Sequence, residues 1–422
     1  MVQYVWRYVL LKFELIFELK TMLKRLFLTC AICVSLSIIT ATSIGEPQGK
    51  SHGVTPNRLS PEELAAGWIL LFDGETLFGW KAASQTDWKV VDGEIRAAGG
   101  EVGLLHTTTQ FADFELICEF KAGPKTNSGI FLRTSPRPAG PTRGCYELNI
   151  AAPKESSFPT GSLVGRQRGA FSCADNRWHT YHVVARGGDF SIRLDGRTVL
   201  EWKDKQPLGR GFIGLQHNKG NIAFRNIKLK PLGLQPLLNG KDLSGWKVFP
   251  GKESRFSINE TGELEILSGP GQLETDRTYG DFVLQTDIFV DGDALNSGIF
   301  FRSIPGDFSN GYESQIHNGF KNGDRNQPSN SGTGGIFRRQ AARRVPADDR
   351  AWFTKTIICE GPHMAVWVNG IQVTDWTDRR EPDPNPRRGL RLTPGTIILQ
   401  GHDPTTNLRF RNMRISEMQR RR

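Results

Sequence analysis

The chain has 422 residues, 38% hydrophobic and 10% aromatic, with 46 glycines and 23 prolines. That composition excludes a disordered or membrane-embedded protein and suits a globular one with many turns. The formal charge of +10 raises nucleic acid as a partner, but the basic runs are short (Arg338-Arg339, Arg343-Arg344, Arg379-Arg380, Arg387-Arg388, Arg420-Arg421-Arg422) and no nucleic-acid motif accompanies them.

The first pattern along the chain is Met22-Leu23-Lys24-Arg25, an apolar run from Leu26 to Ile39, and Thr40-Ala41-Thr42-Ser43. A basic start, a short apolar stretch and small residues read as a secretory signal peptide. Residues 1–45 are assigned to it and to an over-extended start. The run is too short for a membrane span, so export to the periplasm or cell exterior is expected, with cleavage near Ala41-Ser43. Residues 46–64 form a linker in which Ser60 caps a short helix beginning at Pro61.

After this the text is written twice. Asn127-Ser128-Gly129-Ile130-Phe131-Leu132-Arg133 returns as Asn296-Ser297-Gly298-Ile299-Phe300-Phe301-Arg302. Tyr146-Glu147 returns as Tyr312-Glu313, and Phe224-Arg225-Asn226-Ile227 as Phe410-Arg411-Asn412-Met413. A period of roughly 170 residues is a duplicated domain rather than a solenoid repeat. Within each copy the segments are short and alternating, as in Trp178–Arg186, and turns are expected at Gly187-Gly188, Asp195-Gly196 and Asn369-Gly370. The fold class expected is all-β, one sandwich at 65–231 and a second at 235–418. The linker Pro231–Pro236 is short enough that the two should pack together. Alternation puts Cys118 on an apolar face, Cys359 ends a similar run, and Cys145 and Cys173 near loops are candidates to pair in an oxidising compartment.

Sorting side chains by strand face locates the chemistry. Strict alternation places Asn296, Gly298, Phe300 and Arg302 on one face, with Glu313, Gln315 and His317 together on the next strand and Gln400 with His402 on a third. A carboxylate, two imidazoles, a guanidinium and three amides suit a polyhydroxylated ligand and acid–base work. The first copy is thinner. Asn127, Arg133, Glu147 and Asn149 match, Gln216 and His217 are adjacent and so divided between faces, and Ala151 stands where His317 would be. The second copy is therefore the expected active site and the first a sugar-binding or supporting one. A structural ion pair between Arg302 and Glu313 is the competing reading.

The order Phe-Asp-Gly…Gly-Trp, Asn-Ser-Gly-Ile-Phe-x-Arg, Gly-Tyr-Glu-x-Gln-Ile, Thr-Gly-x-Ile, Gly-x-Ile-x-Leu-Gln and Phe-Arg-Asn-Ile resembles the 3-keto-disaccharide hydrolase family. The second copy carries it at Asn296–Arg302, Gly311–Ile316, Thr333–Ile336, Gly395–Gln400 and Phe410–Met413. The first departs from it at Cys145 and Asn149. The resemblance implies concanavalin A-like jelly-roll sandwiches, a carbohydrate substrate and a partner oxidoreductase that makes the ketone. It implies C2 proton abstraction beside a C3 ketone, then elimination of the C1 substituent or net hydrolysis. The roles that follow are Glu313 or His317 as base, Arg302 with Asn296 at the enolate oxygen, and His402 as acid or sugar-binding donor, with Gln315 and Gln400 on hydroxyls. No cofactor is required; a divalent metal is compatible with the carboxylate and imidazoles but not demanded by their spacing. The alternative is a non-catalytic, lectin-like carbohydrate binder.

Overall fold

The computed structural model describes residues 56–169, 171 and 175–418. The signal-peptide segment and Cys173 lie outside the described residues. Ser60 caps the helix Pro61–Ala65 through a capping box, its Oγ accepting from Glu63 N while Glu63 Oε2 accepts from Ser60 N. The rest is sheet.

Each copy is two antiparallel sheets face to face. In the first, a five-stranded sheet runs in the order Trp80–Ala82, Gly103–Thr107, Phe212–Lys219, Asn127–Thr134, Tyr146–Ala151. The second repeats it as Trp246–Val248, Gly271–Thr275, Thr396–Gly401, Ser297–Ser303, Tyr312–Ile316. A larger sheet closes the other side of each core. The arrangement is the concanavalin A-like jelly roll. Alternation drives it: Phe114–Ala122 buries every second residue, and Phe114, Leu116 and Phe120 each contribute about 1.5–3 kcal/mol on leaving water. The hairpin turns form as expected. Asp195 and Gly196, and likewise Asn369 and Gly370, take the paired positive φ of a type I′ turn.

The two sandwiches form one compact unit. Trp367 of the second larger sheet is 1% exposed, packs into the first copy's core and donates its indole N–H to Leu70 O at 2.9 Å. Leu70 N in turn donates to Gly370 O at 2.8 Å. Arg343 reaches Asp73 and Arg344 reaches Glu75, each at 2.7 Å. Cys118 and Cys359 are buried among apolar side chains, and burial pushes both thiols up, away from reactivity.

Candidate functional site

Strand register arranges the outward face of the second five-stranded sheet in rows. Glu313 lies opposite Phe300, which lies opposite Ile398, which lies opposite Glu274. In the next row Gln315 faces Gly298, and Gln400 faces Gln272. Tyr312 and Ile316 point the other way, into the core.

Glu313 is 5% exposed and accepts from Arg387 Nη2 at 3.1 Å. Arg387 also lies over the Phe300 ring, 5.0 Å from its centroid, and donates to Ser309 O. Burial raises the Glu313 pKa, while the charges of Arg387, His402 and Lys355 oppose the rise. Room for this carboxylate comes from Gly298, where a Cβ would lie 2.7 Å from both Cγ and Oε1 of Glu313. A cavity of about 410 Å³ opens beside it, walled by Tyr312, Phe337, Arg339 and Arg387.

A second chain of contacts runs along the next rows. Asp403 Oδ2 lies 2.8 Å from His402 Nδ1, and His402 Nε2 lies 2.7 Å from Asn296 Nδ2. Asn296 Oδ1 accepts from Gln315 Nε2 at 2.5 Å and from Asn330 at 3.2 Å. Against the cost of burial, hydrogen bonds from Thr405 and His402 hold Asp403 below the usual carboxylate range. The His402 side chain is 40% exposed. Two amide oxygens, Gln315 Oε1 and Gln400 Oε1, are buried without a protein partner, as acceptors awaiting ligand hydroxyls would be.

The structure thus gathers Glu313, Gln315, Gln400, Asn296 and His402, takes Arg302 away from them, and sets His317 apart from Glu313. Arg302 does not share the face of Glu313. It sits at a bulge with φ +46°, where the pairing register shifts between Phe300 and Ser303, and the extra residue turns its side chain inward. There it is fully buried, paired with Asp281 at 2.7 Å and donating to Gly361 O and Arg391 O at 2.6 and 3.1 Å. Arg133 does the same in the first copy at φ +48°, on Asp113, Ala112 O, Gly187 O and Leu208 O. The competing pair, Arg302 with Glu313, does not form either. His317 lies past the end of its strand, ~13 Å along from Glu313 at ~3.3 Å per residue. Burial lowers its pKa, and its Nδ1 accepts from Gly319 N at 3.3 Å.

Several groups escaped the sequence reading. Arg387 comes from a loop no strand pattern reaches. Asp403 simply follows His402. Gln272 and Glu274 anchor the loop over the sheet, bonding Ser309 N and Gly306 N. Lys355 is buried in the core, where it donates to Ser314 O and Gln315 O at 3.0 and 2.7 Å and so fixes the strand that carries Glu313. Burial brings its pKa down to about 7. Its signal was present, since alternation puts it with Phe353 and Ile357 on the apolar face.

In the first copy Glu147 lies opposite Phe131 and Asn149 opposite Gly129. Burial, offset by a Gln216 hydrogen bond, pushes the Glu147 carboxyl up to about 7. Asn149 donates to Ser156 Oγ and Phe158 O, while its own Oδ1 and Gln216 Oε1 are unpartnered. Asn127 is half-buried at the start of its strand. His217 bonds Gly220 O at 3.1 Å. A cavity of about 580 Å³ lies over Leu104, Phe131, Glu147 and Gln216. Among the described residues no group of three or more His, Cys, Asp or Glu side chains is arranged to hold a metal ion.

Comparison with known proteins gives the family. A family model for the 3-keto-alpha-glucoside-1,2-lyase-like domain matches residues 67–230 and again 233–416. A 3-keto-disaccharide hydrolase of Bacteroides thetaiotaomicron is 26% identical over 230 residues, covering 40% of this chain and 79% of that protein. A solved structure from Parabacteroides distasonis, provisionally assigned as a glycosyl hydrolase, aligns with a TM-score of 0.38 and 20% identity over 42% of this chain and all of that one. A carbohydrate-binding module from Bacillus subtilis aligns with a TM-score of 0.30 and 14% identity, covering 36% of this chain and 95% of the module. Because the family model spans both sandwiches almost end to end, the chain belongs to the family of 3-keto-alpha-glucoside-1,2-lyase-like domains and carries two of them in tandem.

Proposed function

We propose that the second sandwich cleaves 3-keto-glycosides, with Glu313 as the base that takes the C2 proton. The observation that carries the reading is the desolvated Glu313 carboxylate held against Arg387, on one sheet face with the Asp403–His402–Asn296 chain. Burial makes Glu313 a stronger base than an exposed carboxylate, and Arg387 favours its ionised form. Loss of the C2 proton to Glu313 leaves its electron pair in a C2–C3 enolate, whose oxygen needs a cation or donors. Arg387 and the Asn296 amide are the groups available for that task, in place of Arg302. Collapse of the enolate forms the C1–C2 double bond and expels the C1 oxygen, with His402 assigned as the acid that protonates it. Addition of water across C1–C2 completes net hydrolysis. Gln315 and Gln400 accept from the sugar hydroxyls. The signal peptide read in the sequence would put this reaction outside the cytoplasm.

The test is product analysis by mass spectrometry after mixing the protein with a 3-keto-glucoside and, separately, its unoxidised parent. Release of the aglycone from the keto form alone, reduced at least ~10²-fold in Glu313→Gln, is the expected result for loss of a positioned base. Binding of both sugars with release from neither would select the lectin-like reading, which the unpartnered Gln315 and Gln400 oxygens also serve.

A further inference from the structure

The seam between the sandwiches holds a cluster that the proposed reaction does not use. Glu360 and His363, at the turn joining two strands of the second larger sheet, are 5% and 9% exposed. His363 Nε2 lies 2.6 Å from Asp375 Oδ1, which also accepts from Thr108 Oγ1 of the first sandwich at 2.9 Å. Glu360 accepts from Gln110 N and Nε2 at 3.2 and 3.3 Å. The other ring nitrogen of His363 is Nδ1. That atom is buried, has no hydrogen-bond partner, and lies 3.8 Å from Glu360 Oε1.

These side chains wall a cleft of about 720 Å³ whose opposite wall is the outward face of the first five-stranded sheet, at His106 and Phe212. The His106 ring packs against Phe212 with centroids 5.0 Å apart, and Trp376 completes the apolar lining. Register links this cleft to the cavity over Glu147. Glu147 pairs with Phe131, Phe131 with Gly214 and Gly214 with His106, so the four form one row across the sheet, and Pro136 borders both spaces. The side-chain-free Gly214 leaves the middle of that row low.

We propose that this seam is a ligand site built jointly by the two sandwiches, taking a neutral polyhydroxylated molecule of disaccharide size. Aromatic rings offer faces for the apolar side of a sugar, while His363 Nδ1 and the carboxyl of Glu360 offer polar partners to its hydroxyls. The volume falls within the range of ordinary small-ligand pockets. The choice of a sugar rests on the proposed function; the existence of the site does not.

Hydrogen exchange read by mass spectrometry tests it on the full chain carrying Glu313→Gln, so that the ligand is not consumed. The probes are sucrose and 3-keto-sucrose at millimolar concentration. Expected is slowed exchange in peptides covering 103–110 and 360–377, lost in both Phe212→Ala and His363→Ala. Phe212→Ala guards against a seam that opens when His363 is removed, because it leaves the Asp375 and Glu360 contacts in place. Protection confined to 312–318, or absent with both sugars, overturns the proposal, as does seam protection that survives both variants. Absence of turnover on 3-keto-glycosides would overturn the proposed reaction and leave this exchange result standing.

Discussion

Replacing Arg302 by Met separates a structural arginine from a catalytic one. Its guanidinium is 0% exposed, pairs with Asp281 at 2.7 Å, and donates to Gly361 O and Arg391 O at 2.6 and 3.1 Å. Methionine fills a similar volume but leaves two buried carbonyls without these donors. Asp281 keeps Arg210 at 2.7 Å and Gly361 N at 2.9 Å, so its charge is not stranded. Breaking a buried pair from one side costs about 3–5 kcal/mol, and the surviving partners put this case at the lower end, about 3 kcal/mol. At roughly 2–4 °C per kcal/mol for a domain of this size, the melting temperature should fall by about 6–12 °C. Differential scanning calorimetry measures it, and Arg133→Met, which loses the matching contacts in the first copy, should show a comparable fall. Turnover at a temperature where the variant is folded should stay within a few-fold of the parent. A variant of unchanged melting temperature that has lost turnover by two orders of magnitude would refute the structural assignment and return Arg302 to the site.

Three further outcomes follow from the same contacts. Gly298→Ala brings a methyl to 2.7 Å from the Glu313 carboxylate, against an ordinary contact of ~3.5–4.0 Å; the carboxylate must move by ~1 Å, and kcat/KM should drop ~10²-fold with circular dichroism unchanged. Arg387→Met removes a charge that holds down the Glu313 pKa; since the base must be ionised, the acidic limb of the pH–rate profile should move to higher pH, and an unmoved limb would count against Glu313 as the base. Glu147, neutral below its ordinary 4.5 in the unfolded chain but held up to about 7 when folded, binds its proton more tightly in the folded state. Stability is therefore lost as pH rises from ~4.5 to ~7, by at most about 3 kcal/mol, so Glu147→Gln should be more stable than the parent at pH 8 in urea denaturation and no more stable at pH 4.

The fold was legible because its signals are local or doubled. Period-two alternation in Phe114–Ala122 and the Asp-Gly and Asn-Gly turns are readable from the residues themselves, and the repeat supplied the architecture. The same alternation put Glu313 and Gln315 on one face and Tyr312 on the other. It failed at Arg302, because the rule assumes an unbroken strand and nothing in Asn296–Arg302 announces a left-handed residue two positions past Phe300. The duplication reinforced the error. A residue kept in both copies is kept as readily by four buried hydrogen bonds as by chemistry, and Arg133 shows which applied. Arg387 was out of reach, since its approach to Glu313 depends on a loop fold 74 residues away in sequence.

Comparing the two copies row by row shows what the surroundings do to a shared carboxyl. Glu147 and Glu313 occupy equivalent positions beside Phe131 and Phe300, each next to a glycine, Gly129 or Gly298. In the core behind them the strand backbone is held by Tyr181, whose hydroxyl donates to Asn149 O at 2.7 Å, and by Lys355, whose ammonium donates to Gln315 O at 2.7 Å. Both make the same mechanical contact, but only one can bring a positive charge, in the ammonium form that Lys355 loses as pH rises through about 7. Arg387 and His402 add to that charge around Glu313, whereas the amide of Gln216 is what offsets burial at Glu147. Nearby cations oppose the rise that burial imposes on the Glu313 carboxyl; Glu147 lacks them, and burial lifts it to about 7. The two sandwiches therefore share a fold and a glutamate but set it among different charges, and that difference is the reason the base is proposed in the second copy.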